Sequence, residues 1–338
     1  MVDVSEFVAG MPKAELHLHI EGTLEPELRL TLAERNHIVL PYEDIDAIKA
    51  TYTFDSLASF LTVYYAAMQV LITEDDFHDL AWAYLTKAAG QNVRHVEMFF
   101  DPQAHTARGV PFATVIRGLR RAVVEAREGL GVHADLVMCF LRDLDPGWAM
   151  ATLAESLPYR DWILGVGLDS DERGNPPIKF AEVFARARAY GYFLTMHCDV
   201  DQDDTHENIR QAITVIGVDR VDHGSNAAEV PELVDLLLER KLGLTNCPIS
   251  NGFVTSDMKA REIGELLAAG VRCTVNSDDP AYFGGYVAEN VAALSAALSL
   301  DAAALIGLQR NAFEISWLPS ALRARFLAEL DTYATTAS

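Results

Sequence analysis

The chain has 338 residues, 50% of them hydrophobic, and sets 27 Lys and Arg against 49 Asp and Glu for a formal charge of −22. That length suits one large α/β barrel or two ordinary domains, and the hydrophobic content can fill a large core, which excludes general disorder. The acidic balance argues against a nucleic-acid backbone or an anionic membrane as partner, and no apolar run approaches the length of a membrane span.

The first residues, MVDVSEFVAGMPK, carry acids and lack the apolar core of a signal peptide, so a cytoplasmic protein is expected. Cys139, Cys198, Cys247 and Cys273 are widely spaced and lie mostly in apolar runs, as reduced buried thiols do. A first strand is predicted at 14–20, followed by a stretch, 21–92, that holds several helices, one rich in aromatics (Phe54, Phe60, Tyr64, Tyr65). Further strands are predicted at 93–100, 134–141, 163–169, 193–199, 220–224, 243–248 and 272–279. Helical patterns lie between them near 111–129, 146–157, 177–190, 204–216, 229–240 and 257–269, and extra helices follow at 287–335. Eight strands alternating with helices predict a parallel, closed (β/α)8 TIM barrel, read here as one domain over 1–338. An insertion after the first strand falls on the C-terminal face of such a barrel, where 21–92 could serve as a helical lid, although most of its aromatics are expected simply to pack the insertion.

His17 and His19 sit two apart on the first strand, so both imidazoles point the same way and can grip one ion. His197 ends the fifth strand, His223 the sixth, and Asp278 and Asp279 the eighth. Barrel chemistry gathers at strand C-terminal ends and draws on several strands. Three imidazoles and a carboxylate suit Zn²⁺ in a hydrolytic site that keeps one position open to water, whose pKa the metal lowers toward neutrality. In this reading Asp278 binds metal, His223 orients the water and Asp279 hydrogen-bonds a substrate nitrogen. The remaining histidines, His37, His78, His95, His105, His133 and His206, fall in helices, loops or strand beginnings and are read as structural or surface groups. Arg142 is expected in an internal ion pair with an acid such as Asp101 or Asp169, and Cys198 is expected to pack rather than act as a nucleophile.

These residues stand in motifs that resemble the adenosine/adenine deaminases of the amidohydrolase superfamily. The likeness runs from about residue 10 to 320 and is carried by Pro12-Lys13-Ala14-Glu15-Leu16-His17-Leu18-His19 with Glu21-Gly22-Thr23-Leu24, and by Gly167-Leu168-Asp169-Ser170 with Gly174-Asn175-Pro176-Pro177. Asp222-His223-Gly224, Cys247-Pro248-Ile249-Ser250-Asn251 and Asn276-Ser277-Asp278-Asp279-Pro280-Ala281-Tyr282-Phe283 complete it. Several elements look more like the adenine than the nucleoside branch. The resemblance implies His17, His19, His197 and Asp278 as ligands of one zinc per chain and His223 as a residue that helps activate water. It also implies Asp279 on the purine nitrogen corresponding to N7, and Ser170, with Asp169 beside it, at the pyrimidine edge. The implied reaction is hydrolytic loss of ammonia from C6 through a tetrahedral intermediate.

One motif departs. Where the family reads His-Ala-Gly-Glu, this chain reads His197-Cys198-Asp199-Val200-Asp201, and Val200 cannot move protons. Asp199, two residues from His197 in an extended chain, is the first candidate to replace that acid and Asp201 the second; Asp203 and Asp204 read as a helix start. The expected function is therefore zinc-dependent deamination of adenine or a related aminopurine or N6-substituted purine. The alternatives are a metal-dependent hydrolase of another C–N bond (amide, lactam or cyclic amidine) and a catalytically silent purine-binding relative. Expected partners are a small heterocyclic substrate and, compatibly, a second copy in a homodimer, with no nucleic acid and no membrane.

Overall fold

The structure is a computed structural model that describes residues 4–198, 202–255 and 257–337. Eight strands form one sheet in sequence order: β1 (Lys13–His19), β2 (Val93–Phe100), β3 (His133–Leu141), β4 (Ile163–Asp169), β5 (Phe193–Cys198), β6 (Arg220–His223), β7 (Gly243–Asn246) and β8 (Arg272–Val275). Every neighbouring pair is parallel. Just beyond β8, Asp278 bridges back to β1: its amide donates to the His17 carbonyl at 3.2 Å and its carbonyl accepts from the His19 amide at 3.0 Å. The predicted (β/α)8 barrel is thus present, with helices between the strands covering its outside, which is why nearly every strand residue is buried.

Two strands end earlier than the apolar patterns predict. β7 stops before Pro248, which opens the helix Pro248–Val254 at a position where its missing N–H costs nothing. β8 stops at Val275 because the Asn276 side chain accepts from the Leu16 amide at 2.8 Å and Asp278 takes a left-handed backbone, φ 64°. The predicted helix at 204–216 runs as Thr205–Gln211 and continues into a wider π turn, Ala212–Ile216, ended by Gly217 at φ 70°.

Four helices lie between β1 and β2: Pro26–Arg35, Ile45–Lys49, Leu57–Ala67 and Glu74–Gly90. Reciprocal side-chain caps fix the starts of the last two, Ser56 with Ser59 and Thr73 with Asp76. After β8 come Val287–Leu298, Ala302–Ile315 and Ser320–Thr336, matching the extra C-terminal helices. The four cysteines are buried and none is in a disulfide, and no helix among the described residues is long and apolar enough to cross a membrane.

Below the strand ends the barrel interior is charged as well as apolar. The fully buried Arg220 guanidinium meets Glu97 Oε2 at 2.5 Å, donates to the Leu16 carbonyl at 3.2 Å and lies 4.2 Å from the centre of the Trp317 ring. Arg142 corrects an expectation. Its guanidinium donates to the His197 carbonyl at 2.8 Å and the Asn175 carbonyl at 3.0 Å, and its acidic partner is Glu172 at 3.5 Å, not Asp101 or Asp169. Glu172 lies on the loop that Asn175 folds back, so both partners come from the same turn after β4.

Candidate metal centre and active-site cleft

The strand ends bring the predicted metal ligands together. Donor atoms of His17, His197, His223 and Asp278 all lie within 4.8 Å of one another. His19 joins them through His197, Nε2 to Nε2 at 3.0 Å, and through Asp278 Oδ1 at 3.4 Å, while His17 Nε2 stands 3.1 Å from the same oxygen. His223 Nε2 is 3.7 Å from the other carboxylate oxygen.

The surroundings decide which ring nitrogen of each histidine carries its proton. Thr245 Oγ1 donates to Asp222 Oδ1 at 2.8 Å, so toward His17 Nδ1, 2.9 Å away, it can only accept. His197 Nδ1 faces the Leu168 carbonyl at 3.1 Å, and His19 Nδ1 faces Asp169 Oδ2 at 3.5 Å. His17 and His197 therefore bear hydrogen on Nδ1 and turn an Nε2 lone pair toward the cluster, the arrangement that outer partners impose on metal-ligating histidines. A His17 Nε2 lone pair that is buried with no hydrogen-bond partner and lies 3.1 Å from a carboxylate oxygen calls for a positive charge between them, and the His197 Nε2 lone pair faces His19 Nε2 at 3.0 Å. The residues fit a divalent cation on this ground alone.

Electrostatics agree. Burial lowers the His19 imidazole to about 4 and holds that of His197 well below its ordinary value, so both are neutral donors at physiological pH. Burial opposes the charge on Asp278, but the imidazoles of His17, His223 and His19 outweigh it and hold the carboxyl well below its usual range. Burial, and after it the charge of Asp278, pushes the neighbouring Asp279 the other way, well above that range. Two adjacent acids thus take opposite protonation states, one a carboxylate and the other a carboxylic acid able to donate a hydrogen bond.

The cluster floors a cleft that opens to solvent. Asp101, Asp169, Ser170 and Asp279 line it beside the histidines, and Leu57, Phe60, Leu61, Val254 and Phe283 form its apolar wall. Non-glycine residues with left-handed backbone sit at its rim, Ser170 (φ 72°), His223 (φ 56°) and Asp278 (φ 64°), as strained residues do at sites that must aim a side chain. Gly22 makes room for Asp279: a Cβ there would come 2.1 Å from Oδ1 and 2.7 Å from Cα of Asp279. The aromatics after β1 do more than pack their own insertion. Phe60 stacks near Phe283 with ring centres 4.8 Å apart, and the Tyr65 hydroxyl donates to Ser170 Oγ at 2.9 Å.

Asp199 and Asp201, with Val200, lie outside the described residues; Gln202, the next described residue, lines the cleft. Sequence reasoning missed the residues that hold the ligands in place. Ser250 donates to Asp278 Oδ2 at 2.6 Å, and Thr245 and Asp222 fix His17. The signal was available for Thr245 and Asp222, which sit at the ends of short strands whose alternation turns them inward.

The adenosine deaminase family profile matches residues 12–333. The chain belongs to the adenosine deaminase family. It is accordingly a hydrolase acting on C–N bonds other than peptide bonds. It is 50% identical to an adenine deaminase of Trichlorobacter lovleyi over 97% of this chain and 94% of that protein, and 48% identical to an uncharacterized deaminase of Schizosaccharomyces pombe over 99% of each. Among solved structures it superimposes on the adenine deaminase from Arthrobacter aurescens with a TM-score of 0.93 and 42% identity, covering 97% of this chain and 100% of that one. A family amidohydrolase from Burkhoderia ambifaria, solved with bound Zn, matches with a TM-score of 0.88 and 27% identity over 100% of this chain and 95% of its own.

Proposed function

We propose that this enzyme is a zinc-dependent deaminase of adenine or a closely related aminopurine. The observation that carries the proposal is the convergence of the His17, His19 and His197 imidazoles on the charged Asp278 at the floor of a cleft, in a chain half identical to adenine deaminases. His17, His19, His197 and Asp278 would hold the ion, one per chain. Zinc in such a site supplies a hydroxide nucleophile at neutral pH and polarises the bond under attack.

The chain's own groups carry the remaining steps. His223, with Nε2 on the Asp278 side of the cleft, orients the attacking water and receives its proton. Asp279, kept as the acid by burial and by Asp278, donates a hydrogen bond to the ring nitrogen corresponding to N7 and draws electrons from C6. Asp169 and Ser170 hold the pyrimidine edge. Asp199 protonates the ring as the C6–N bond weakens, in place of the acid that Val200 cannot supply, with Asp201 as the next candidate; the position of Asp199 two residues past His197 supports this assignment. The proton that His223 took from the water passes to the C6 amino group, which leaves as the neutral amine, while the added hydroxyl gives its remaining proton back to Asp199 and becomes the carbonyl of the oxopurine.

Asp199→Asn is the test. Ammonia release from adenine should fall by on the order of 10²–10⁴-fold, the range for loss of a general acid, while bound zinc by elemental analysis stays as in the wild type. Unchanged turnover would move the role to Asp201, and a zinc-loaded wild type inactive on a panel of aminopurines would end the deaminase reading. A second reading, an N6-substituted adenine as substrate, is favoured by the apolar wall of Leu57, Leu61 and Val254. Comparison of kcat/KM for adenine and N6-alkyladenines separates the two.

A further inference from the structure

A second group of metal-ligating side chains lies at the opposite, N-terminal end of the barrel. His95 on β2 and His133 on β3 are register partners, and Glu97 and Asp135 are the partners two residues on, so the four share neighbouring positions on adjacent strands. His95 Nδ1 stands 3.1 Å from His133 Nδ1, and Asp135 Oδ2 lies 3.5 Å from that same nitrogen. His95 is fully buried, whereas His133 and Asp135 are partly open to solvent.

The protons can again be assigned. Arg220 pairs with Glu97 Oε2 at 2.5 Å and the Trp317 amide donates to Oε1 at 2.7 Å, which keeps Glu97 a carboxylate. A carboxylate only accepts, so His95 Nε2, 3.1 Å from Oε1, carries the hydrogen and Nδ1 is left as a lone pair. A carboxylate, a histidine and an outward lone pair reproduce the unit that orients ligands in zinc proteins. With metal–nitrogen bonds of about 2.05 Å, ligand atoms on a tetrahedron lie about 3.3 Å apart; the 3.1 and 3.5 Å separations bracket that edge.

We propose that His95 Nδ1, His133 Nδ1 and Asp135 form a second, surface-accessible site for a divalent ion of the zinc type, with its remaining positions open to water. Binding requires only that the His133 proton reside on Nε2. Arg120 and Arg127 line the same surface depression and oppose a cation, so the site binds more weakly than the barrel centre and fills after it. Its place at the strand beginnings, away from the cleft, makes it a structural or regulatory site rather than a catalytic one.

The test is metal stoichiometry. Protein stripped with a chelator is titrated with Zn²⁺ against a chromophoric competitor, in the wild type, His133→Ala and Asp135→Asn. The wild type should bind one more equivalent than His133→Ala, and Asp135→Asn should hold that equivalent at least tenfold more weakly. Deaminase activity of both variants should match the wild type. The difference of one equivalent is expected whatever the cleft binds, so it stands or falls apart from the deaminase reading. Equal stoichiometry and affinity in the wild type and both variants would show that His133 simply donates a hydrogen bond to His95 and would overturn the proposal. Cobalt absorption gives a second readout: a band that His133→Ala abolishes supports the site, and spectra identical in the two proteins refute it.

Discussion

Thr245→Val should weaken metal binding without touching a ligand. Valine has nearly the shape of threonine, so the substitution removes one hydroxyl and little volume. That hydroxyl accepts from His17 Nδ1 at 2.9 Å and donates to Asp222 Oδ1 at 2.8 Å. Its loss leaves the buried Nδ1–H facing a carboxylate 4.0 Å away, too far for a hydrogen bond, and makes the other tautomer, with the proton on Nε2, competitive. Removing such an outer partner costs about 10- to 100-fold in metal affinity, or about 1.4–2.8 kcal/mol. Loss of a hydrogen bond to the Asp222 carboxylate should also destabilise the fold by about 1.5–3 kcal/mol, which at a typical unfolding entropy per residue lowers Tm by about 2–4 °C. The assay is Zn²⁺ competition against a chromophoric chelator, with kcat measured on fully loaded enzyme. Affinity should fall in that range and kcat should change by less than threefold. Thr195→Val is the control: its hydroxyl donates to Asp222 Oδ2 at 2.6 Å and contacts no imidazole, so it should lower Tm with a smaller effect on affinity. A Thr245→Val protein whose Tm drops while its zinc affinity stays within twofold of the wild type would refute the assignment of the His17 tautomer.

Other variants probe the cleft and its support. Gly22→Ala should reduce kcat/KM by on the order of 10²-fold with zinc content unchanged, because the new methyl displaces Asp279; normal kinetics would show that Asp279 need not sit where it does. Phe60→Ala should raise KM more than it lowers kcat, since Phe60 ties the helix Leu57–Ala67 to Phe283 over the cleft, and steady-state kinetics on both constants decides it. Lys13 is held near pKa 7, mainly by burial and next by Arg94, against about 10.5 for a free lysine. The unfolded chain then binds more protons between those values, so the stability of the wild type relative to Lys13→Met should rise from pH 7 to 9.5; a constant difference in unfolding midpoint over that range would contradict the burial argument.

The fold was legible because its strands are short, apolar and separated by helices of the right length, and all eight fell within a few residues of their observed bounds. The errors share a cause. Strands were extended through Cys247-Pro248 and through Ser277-Asp278-Asp279 because those runs look regular, but a proline that opens a helix and a left-handed aspartate turn the chain out of the ladder to aim functional groups. The side-chain cluster at the strand ends was legible for a different reason: histidine is rare, and four of ten at strand ends is a pattern. Of its supports, Thr245 and Asp222 are turned inward by strand alternation, but Ser250, on the helix after β7, is an ordinary polar residue until distance shows what it holds. Arg142 illustrates the limit. A buried arginine predicts an acid, but which acid depends on how the turn after β4 folds, and Asn175 directs it to Glu172.

The acids around the cleft also bear on the proposed substrate. Burial raises Asp101 well above its usual range, with the Asp169 charge as the next cause, and burial raises Asp169 to about 7; with Asp279 they give the floor several carboxyls held close to one another. No lysine or arginine lines the cleft among the described residues. A phosphate would find no fork of cationic donors there to receive it. A neutral, flat heterocycle rich in nitrogen meets carboxylic acids that can donate to its lone pairs and carboxylates that can accept from its N–H groups, under an apolar cover that excludes water. That complementarity favours a free purine base over its nucleotide, and it comes from the site's charge pattern, independently of the likeness to adenine deaminases.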